Sequence, residues 1–235
     1  MIMAAHQPNF LPWLGFFDRM RQADVFVIVD HVQFERQNYQ NRVLIKTDGG
    51  PRWITVPVQQ RAREETILEK RICADAGGKH DWRRRLSRTL EQSYARAPHF
   101  KEYARPFLEQ LSAPGESLVE LNVRMIETAM RSLGIEKRLV RSSTLAITGA
   151  KSDMVLNLCK AVGADAYLAG LGGSHQYLDE AAFKEAGVEV RWQRFEHPVY
   201  PQEPSVVPFA PGLSVIDLLV NCGPRSGSVI AGRPS

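Results

Sequence analysis

Hydrophobic positions in the first thirty residues follow two different periods. The apolar run over 1–6 predicts a short buried strand, and the β-branched run over 25–29 predicts a second one. Between them, apolar residues at 13, 14, 16, 17 and 20 recur at helical spacing and predict a helix over 13–22. Strand, helix and strand in this order form a β-α-β unit, which pairs its strands in parallel.

The middle of the chain changes character twice. Apolar segments at 43–46, 53–57 and 67–72, with Gly49 and Gly50 as a hairpin signal, predict a β-rich insertion. Helical spacing then predicts three helices, at about 79–95, 99–111 and 117–133. Ser117 and Glu120 fit a capping box at the start of the third helix.

The last third returns to alternation. It predicts strands at 138–142, 166–169 and 188–192, helices at 151–162 and 179–185, and a final helix at 213–221 with Ser214 as its N-cap. We therefore predict an α/β, Rossmann-like fold, with a mostly parallel sheet and helices on both faces. We expect a single domain over 1–223, with 79–135 as a candidate helical subdomain, followed by a flexible tail at 224–235.

Composition excludes several classes of protein. The 235 residues are 44% hydrophobic and 24% charged, which is typical of a globular chain and excludes disorder. The net charge of +4 allows an anionic ligand but does not require nucleic acid. Three scattered cysteines are too few for a disulfide framework, and no signal peptide or long apolar run is present. We expect a cytoplasmic protein without membrane insertion.

Polar residues follow the first predicted strand, where parallel sheets bind their ligands. His6, Gln7 and Asn9 lie just before a helix, a position that suits an anionic group. His6 is a candidate catalytic acid or base because its pKa lies close to neutral pH. The alternative is that His6 only hydrogen-bonds the backbone of the turn.

A second polar cluster follows the second predicted strand. If the two strands are parallel neighbours, Asp30 lies at the same sheet end as His6 and orients its imidazole. The other candidates in this cluster would hold phosphate or carboxylate: Gln33, Asn41, Arg42 and Lys46. A solvated polar loop is the alternative.

Later strands lead into further candidates for substrate or anion binding. Glycines after a strand allow a ligand to approach the backbone, and a lysine at a helix start supplies a positive charge. Ordinary turns and surface loops would explain the same residues. The candidates are Lys151, Ser152, Gly172, Gly173, Tyr177, Asp179, His197, Tyr200 and Gln202.

Other kinds of site find weaker support. No H-x-x-x-H or C-x-x-C spacing exists, so we predict no metal site. The alternative is that His6, Asp30 and His197 come together in the fold and bind a metal ion. A hydrolase elbow of the G-x-S-x-G type is missing. The basic residues between Arg83 and Arg88 favour a solvated helix face over a nucleic-acid surface. The sequence identifies no cofactor.

Several stretches form a recognisable set. They are His6-Gln-Pro-Asn-Phe-Leu-Pro-Trp-Leu-Gly-Phe-Phe17, Asn41-Arg42 with Lys46, Tyr167-Leu-Ala-Gly170, Tyr177-Leu-Asp179, His197-Pro-x-Tyr-x-Gln202 and Leu213-Ser-x-x-Asp-Leu-Leu219. Together they resemble the WbqC-like family over residues 1 to about 223, with departures at 203–211 and in the tail. The resemblance implies a setting in O-antigen, other surface-polysaccharide or specialised-metabolite synthesis, and an acyl- or aminoacyl-transfer role.

A weaker similarity concerns mechanism. A strand that ends in histidine, followed by a helix and a strand, is similar to the nucleotide-binding fold of adenylate-forming ligases and nucleotidylyltransferases. Lys151 and Ser152 would then bind phosphate, but the second histidine of that motif is missing three residues after His6. An analogy at the level of the fold does not establish function.

Two hypotheses about function remain. The first is a small-molecule transferase or ligase that acts on an activated anionic donor, either a nucleotide sugar or an acyl or aminoacyl group. The alternative is a non-catalytic module that recognises a carrier or a partner enzyme through the basic helix around Arg83–Arg88. We expect a small anionic substrate or donor and no nucleic acid, and a homodimer is left open.

Overall fold

The computed structural model describes residues 1–62, 64–74, 81–170, 172 and 174–232. The chain divides into two units. The first unit contains 1–7, 15–32 and 136–196, and the second contains 8–14, 33–135 and 197–235. The expected single domain over 1–223 stays a prediction, as does the helical subdomain at 79–135, whose residues belong to the second unit.

The helices and strands follow the predicted order. The strands are β1 Ile2–His6, β2 Val25–Ile28, β3 Arg42–Thr47, β4 Gly50–Thr55, β5 Arg138–Arg141, β6 Ala166–Ala169 and β7 Glu189–Trp192. The helices are α1 Leu14–Gln22, α2 Trp82–Tyr94, α3 Phe100–Tyr103, α4 Arg105–Ser112, α5 Leu118–Leu133, α6 Lys151–Val162, α7 Ser174–Tyr177, α8 Glu180–Glu185, α9 Val215–Cys222 and α10 Ser226–Ile230. None of these described helices is both long and apolar enough to cross a membrane.

The first unit is built on a five-stranded parallel sheet with the order β5-β2-β1-β6-β7. The α/β, Rossmann-like prediction is confirmed. From β1 the chain continues to β2 on one side, and it later returns to β6 on the other. The point where the order reverses, between the carboxyl ends of β1 and β6, is where such sheets bind ligands.

Helices cover both faces of this sheet. On one face, Met3 and Val27 belong to a buried apolar cluster with Leu158 of α6. On the other face, Phe16 of α1 packs on Phe26, with ring centroids 5.0 Å apart. Burial on both faces explains why these strands read as continuous apolar runs in the sequence.

The second unit contains the hairpin and most of the helices. β3 and β4 pair antiparallel up to Thr47 and Gly50, so the predicted hairpin is confirmed, and Gly50 adopts a φ of +97° there. The Ser117 hydroxyl caps α5 by accepting from the backbone N–H of Glu120 at 3.5 Å. Ser214 caps α9 in the same way, as the sequence predicts.

The structure differs from the sequence prediction in two segments of the second unit. The strand predicted over 67–72 is wrong: only isolated bridges form at Arg71 and Ile72. A local turn wins because the Glu69 carboxylate accepts from both the backbone and the hydroxyl of Thr66. The helix predicted over 99–111 divides into α3 and α4.

The tail also differs from its prediction. Residues 224–235 are expected to be flexible, but α10 forms within this segment, and its residues Ser226 and Ile230 are buried. Gly227 lies so close to the Leu133 carbonyl that an added Cβ would come within 2.6 Å of the oxygen. Packing on α5 therefore orders a stretch that looks featureless in the sequence. Residues 233–235 lie outside the described residues.

Candidate functional site

His6 is the last residue of β1 and lies at the carboxyl end of the sheet. Its Nδ1 is 2.9 Å from the Gln7 carbonyl oxygen. Because a carbonyl only accepts, Nδ1 must carry the hydrogen, which leaves a lone pair on Nε2. The half-buried ring packs edge-on against Phe16, with centroids 5.1 Å apart. The backbone contact thus selects the tautomer in which Nε2 is the nitrogen that can accept a proton.

Arg19 of α1 is the second polar group of this sheet end. Its side chain is 7% exposed, and its Nε is buried without a hydrogen-bond partner among the described residues. The guanidinium lies against Gly170, immediately after β6, where an added Cβ would overlap Nη1. The absence of a Cβ at residue 170 therefore leaves room for the guanidinium in this position. Arg19 occupies the sheet end where the strand order reverses.

Burial and the Arg19 charge both act on the imidazole. Desolvation is the larger effect and the positive charge of Arg19 is the second, and together they lower the pKa of His6 to about 3. His6 is therefore neutral at pH 7. Burial also lowers the pKa of Arg19 below its usual value, but a guanidinium stays protonated in proteins.

The acidic neighbour of Arg19 is largely engaged elsewhere. Asp18 favours the charged form of Arg19. Its carboxylate, however, accepts from Arg21 Nη2 at 3.2 Å, from Gln22 Nε2 at 2.7 Å and from Gln193 Nε2 at 2.8 Å. Arg19 thus retains positive charge that no hydrogen-bonded carboxylate among the described residues balances.

Asp30 does not orient His6, contrary to the sequence prediction. Its carboxylate is 0% exposed and accepts from Arg141 Nε at 2.7 Å, from the Ser142 hydroxyl at 3.0 Å and from Ser143 at 2.8 and 2.9 Å. Burial raises the pKa of Asp30, but these hydrogen bonds outweigh burial and hold it below its usual value. Because β2 pairs with β5 as well as β1, the carboxylate joins β2 to the segment that follows β5.

The remaining candidates of the first unit make local contacts. The Ser152 hydroxyl accepts from the backbone N–H of Asp179 at 2.9 Å, and the Asp179 carboxylate caps α8. Lys151 is exposed and has a φ of +51°. Tyr177 lies within electrostatic range of Arg19. Gln7 is half-buried, Gly172 is exposed, and Gly173 lies outside the described residues.

Several candidates of the second unit form a buried polar cluster. The Asp217 carboxylate accepts from the hydroxyls of Tyr94 and Tyr200, each at 2.9 Å. The Tyr94 hydroxyl also accepts from the backbone N–H of Lys46 at 2.9 Å, and Lys46 Nζ donates to the Gln202 carbonyl at 3.2 Å. Burial raises the pKa of Asp217 to about 6. All five side chains are buried, so the contacts observed for Lys46, Tyr200 and Gln202 are structural ones.

The other candidates of the second unit are also held by protein contacts. The Arg42 guanidinium stacks on Trp53 at 4.3 Å from the ring centroid and contacts the Gln37 carbonyl. Anion binding by Arg42 and by the four candidates named next stays a prediction. Asn41 Nδ2 donates to the Val56 carbonyl, and His197 Nδ1 donates to the Pro198 carbonyl. Gln33 forms an isolated antiparallel β-bridge with Thr66. Asn9 is buried, with 4% of its surface exposed.

Comparison with known proteins places the chain in a family. The family model described as the WbqC-like protein family matches residues 7–229. The chain belongs to the WbqC-like protein family. A Mycobacterium tuberculosis relative, named uncharacterized protein Rv1507c, is 33% identical to this WbqC-like protein over 223 residues, which cover 94% of each chain. No solved structure matches the chain at a significant level.

Sequence reasoning about this WbqC-like protein missed Arg19. The spacing gave no signal for it, because residue 19 falls outside the helix face formed by the apolar residues at 13, 14, 16, 17 and 20, where a polar residue is expected. Within the described part of the chain, no cluster of three His, Cys, Asp or Glu residues could hold a metal ion.

The lowered pKa of His6 predicts a pH dependence of stability. Between about pH 6.5 and pH 3 the unfolded chain binds a proton at this position and the folded chain does not. The free energy of unfolding therefore falls as pH falls through this window, by at most about 1.4 kcal/mol per pH unit, and by less because the ring is only half-buried. Urea unfolding at pH 7 and pH 5 measures the effect.

His6→Asn is the control for that measurement, because it removes the titrating group and leaves every other one in place. We expect a smaller loss of stability between pH 7 and pH 5 in the variant than in the natural protein. Equal losses in the two proteins would show that His6 titrates normally.

Proposed function

We propose that this WbqC-like protein is a small-molecule transferase or ligase of surface-polysaccharide or specialised-metabolite biosynthesis. Its donor would be an activated anionic molecule, either a nucleotide sugar or an acyl or aminoacyl donor. The observation that carries the proposal is that the imidazole of His6 and the buried guanidinium of Arg19 both lie at the carboxyl end of the parallel sheet, where the Arg19 charge acts on the imidazole.

The two side chains have complementary roles in this proposal. Arg19 binds the anionic part of the donor. His6 Nε2 accepts the proton of the attacking hydroxyl or amine of the acceptor, while Nδ1 remains bound to the Gln7 carbonyl. The leaving group departs with the bonding electron pair, and the imidazolium can return its proton to that group.

Donor binding would also improve His6 as a base. The Arg19 charge is one of the two effects that lower the pKa of His6. An anion bound to Arg19 offsets that charge, so the pKa of His6 rises towards neutrality in the complex. Proton transfer would then be favoured only when the donor is in place.

A donor panel tests the proposal directly. Purified protein is incubated with nucleotide sugars, coenzyme A thioesters and aminoacyl adenylates, each with amine and hydroxyl acceptors, and products are followed by mass spectrometry. We expect turnover of at least one donor class. If no donor is consumed, and none stabilises the protein against heat, the enzyme proposal is wrong.

The alternative, a binding module, rests on one observation. Arg84, Arg85 and Arg88 of α2 are exposed and give this helix a basic surface. Salt-sensitive capture of an acidic carrier protein that is lost in Arg84→Glu, together with an inert donor panel, would favour the module. Donor turnover that survives Arg84→Glu favours the enzyme.

A further inference from the structure

We infer that Arg19 anchors a phosphate-binding subsite at the carboxyl edge of the sheet, between β1 and β6. The inference deepens the proposed function, on which it rests for the role of the ligand, because it states that the donor carries a phosphate group there. All residues from which the subsite is argued belong to the first unit.

The burial of Arg19 is the first argument. Arginine is almost never this buried unless it is paired, since a guanidinium without a partner loses its hydration and gains little in return. Here the side chain is 7% exposed and its Nε has no hydrogen-bond partner among the described residues. The Asp18 carboxylate next to it is shared among Arg21, Gln22 and Gln193. Stability alone does not explain such an arginine.

The position of the guanidinium is the second argument. It lies against the backbone of Gly170, directly after β6, and this approach is possible only because residue 170 has no Cβ. Its charge acts on His6 at the end of β1. The guanidinium therefore lies at the end of β6, and its charge extends to the end of β1, so it occupies the reversal of strand order, the place where doubly wound sheets bind the phosphates of nucleotides.

The chemistry favours phosphate over carboxylate. A guanidinium binds either anion through two parallel hydrogen bonds. A phosphate has a further oxygen for a second donor, and a phosphate monoester carries a charge of about −1.5 to −2 at pH 7. The larger charge of a phosphate offsets the Arg19 charge more fully than a carboxylate does, while His6 keeps its Nε2 lone pair for proton transfer because Nδ1 is bound to the Gln7 carbonyl.

Replacement of Arg19 by Met tests the inference with two readouts. Isothermal titration with inorganic phosphate should show binding to the natural protein and a dissociation constant about 10- to 100-fold higher in Arg19→Met. Without phosphate, the variant should be at least as stable as the natural protein, because an apolar side chain of similar volume replaces a buried charge. A merely structural arginine would give the opposite stability result.

Two further variants complete the design. Arg191→Met removes an exposed arginine of the same unit, which pairs with Glu189 at 2.6 Å, and should leave phosphate binding unchanged. Gly170→Ala keeps the Arg19 charge but displaces the guanidinium, so phosphate should bind more weakly. If Arg19→Met does not fold, the Arg19 Nε–H NMR signal of the natural protein must shift with phosphate for the inference to stand.

The outcomes separate the subsite from the proposed function. Titration with phosphate, uridine diphosphate, coenzyme A and acetate identifies the source of the phosphate, and acetate binding as tight as phosphate would overturn the phosphate class. Unchanged phosphate binding in Arg19→Met would overturn the subsite even if donors are turned over. Phosphate binding that depends on Arg19 would support the subsite even if no donor is consumed.

Discussion

Replacement of His6 by Asn is expected to lower the turnover of the preferred donor by about 10²- to 10⁴-fold, the range that a positioned general base contributes. The Asn amide can still donate to the Gln7 carbonyl, as Nδ1 does, but it offers nothing in place of the Nε2 lone pair. The variant therefore removes proton transfer while it preserves the local backbone contact. Donor affinity should change only a few-fold, because Arg19 remains in place.

The pH profile distinguishes a catalytic His6 from a structural one. In the free protein the pKa of His6 is about 3, so kcat/KM should not fall because of this residue until the pH is strongly acidic. In the donor complex its pKa should be higher, so kcat should fall at a higher pH than kcat/KM does. Both acid limbs should disappear in His6→Asn. A profile that the substitution leaves unchanged would exclude His6 as the base.

A second imidazole of the same unit provides the control. His31 Nδ1 lies 2.6 Å from the Ser142 hydroxyl, in the group of residues that surrounds Asp30. His31→Asn should retain turnover within a few-fold. A loss as large as that of His6→Asn would mean that both substitutions act through disturbed folding.

Replacement of Tyr94 by Phe is expected to lower the free energy of unfolding by about 2–6 kcal/mol. The buried hydroxyl accepts from the backbone N–H of Lys46 and donates to the Asp217 carboxylate, at 2.9 Å in each case. Its removal leaves two buried polar groups each short of a partner, and each such group costs about 1–3 kcal/mol. Urea denaturation at pH 7 measures the loss.

Other tyrosines of the second unit give matched controls. Tyr200→Phe removes one hydrogen bond to Asp217 and should cost about 1–3 kcal/mol. Tyr103, which is half-buried and contacts the His99 ring, should change stability by less than about 0.5 kcal/mol when replaced by Phe. A Tyr94→Phe effect no larger than that of Tyr103→Phe would show that the buried cluster contributes little.

The effect of Tyr94→Phe should also depend on pH. Burial raises the pKa of Asp217 to about 6, so this residue contributes less stability as pH rises from about 4 to 6, where the unfolded chain has already lost the proton. The hydrogen bond from Tyr94 favours the charged carboxylate and opposes that rise. Its loss should raise the pKa of Asp217 further. The deficit of the variant should therefore be larger at pH 7 than at pH 4.

Local features made much of the fold predictable. The bounds predicted for α6 and β6 agree with the structure, because apolar spacing and a following Gly163 define the helix and a short apolar run defines the strand. Ser117 and Ser214 cap α5 and α9 as predicted, since capping depends only on the next few residues. The strand predicted over 67–72 fails because hydrogen bonds from Thr66 to the Glu69 carboxylate close a turn there.

The candidate site was predictable only in part. The position of His6 at the end of β1 follows from the strand pattern, whereas the burial of Arg19 does not, because residue 19 lies at an expected polar position of an amphipathic helix. Whether Asp30 faces His6 could not be read from spacing, since β2 has two neighbours and the carboxylate bonds to the side of β5. The burial of Lys46 could not be read either, because a lysine in a hairpin is usually solvated.

The amino-acid sequence alone determined three properties: the alternation of helices and strands, the parallel α/β sheet and membership of the WbqC-like family. Each of them depends on hydrophobic periodicity or on short motifs. Tertiary structure decided which polar groups meet. Asp30 bonds to Ser142, 112 positions away, and Lys46 bonds to the backbone of Gln202, 156 positions away. The physical reason is that a buried polar group takes whichever partner the packing of distant segments brings within about 3 Å, and no local pattern in the chain encodes that choice.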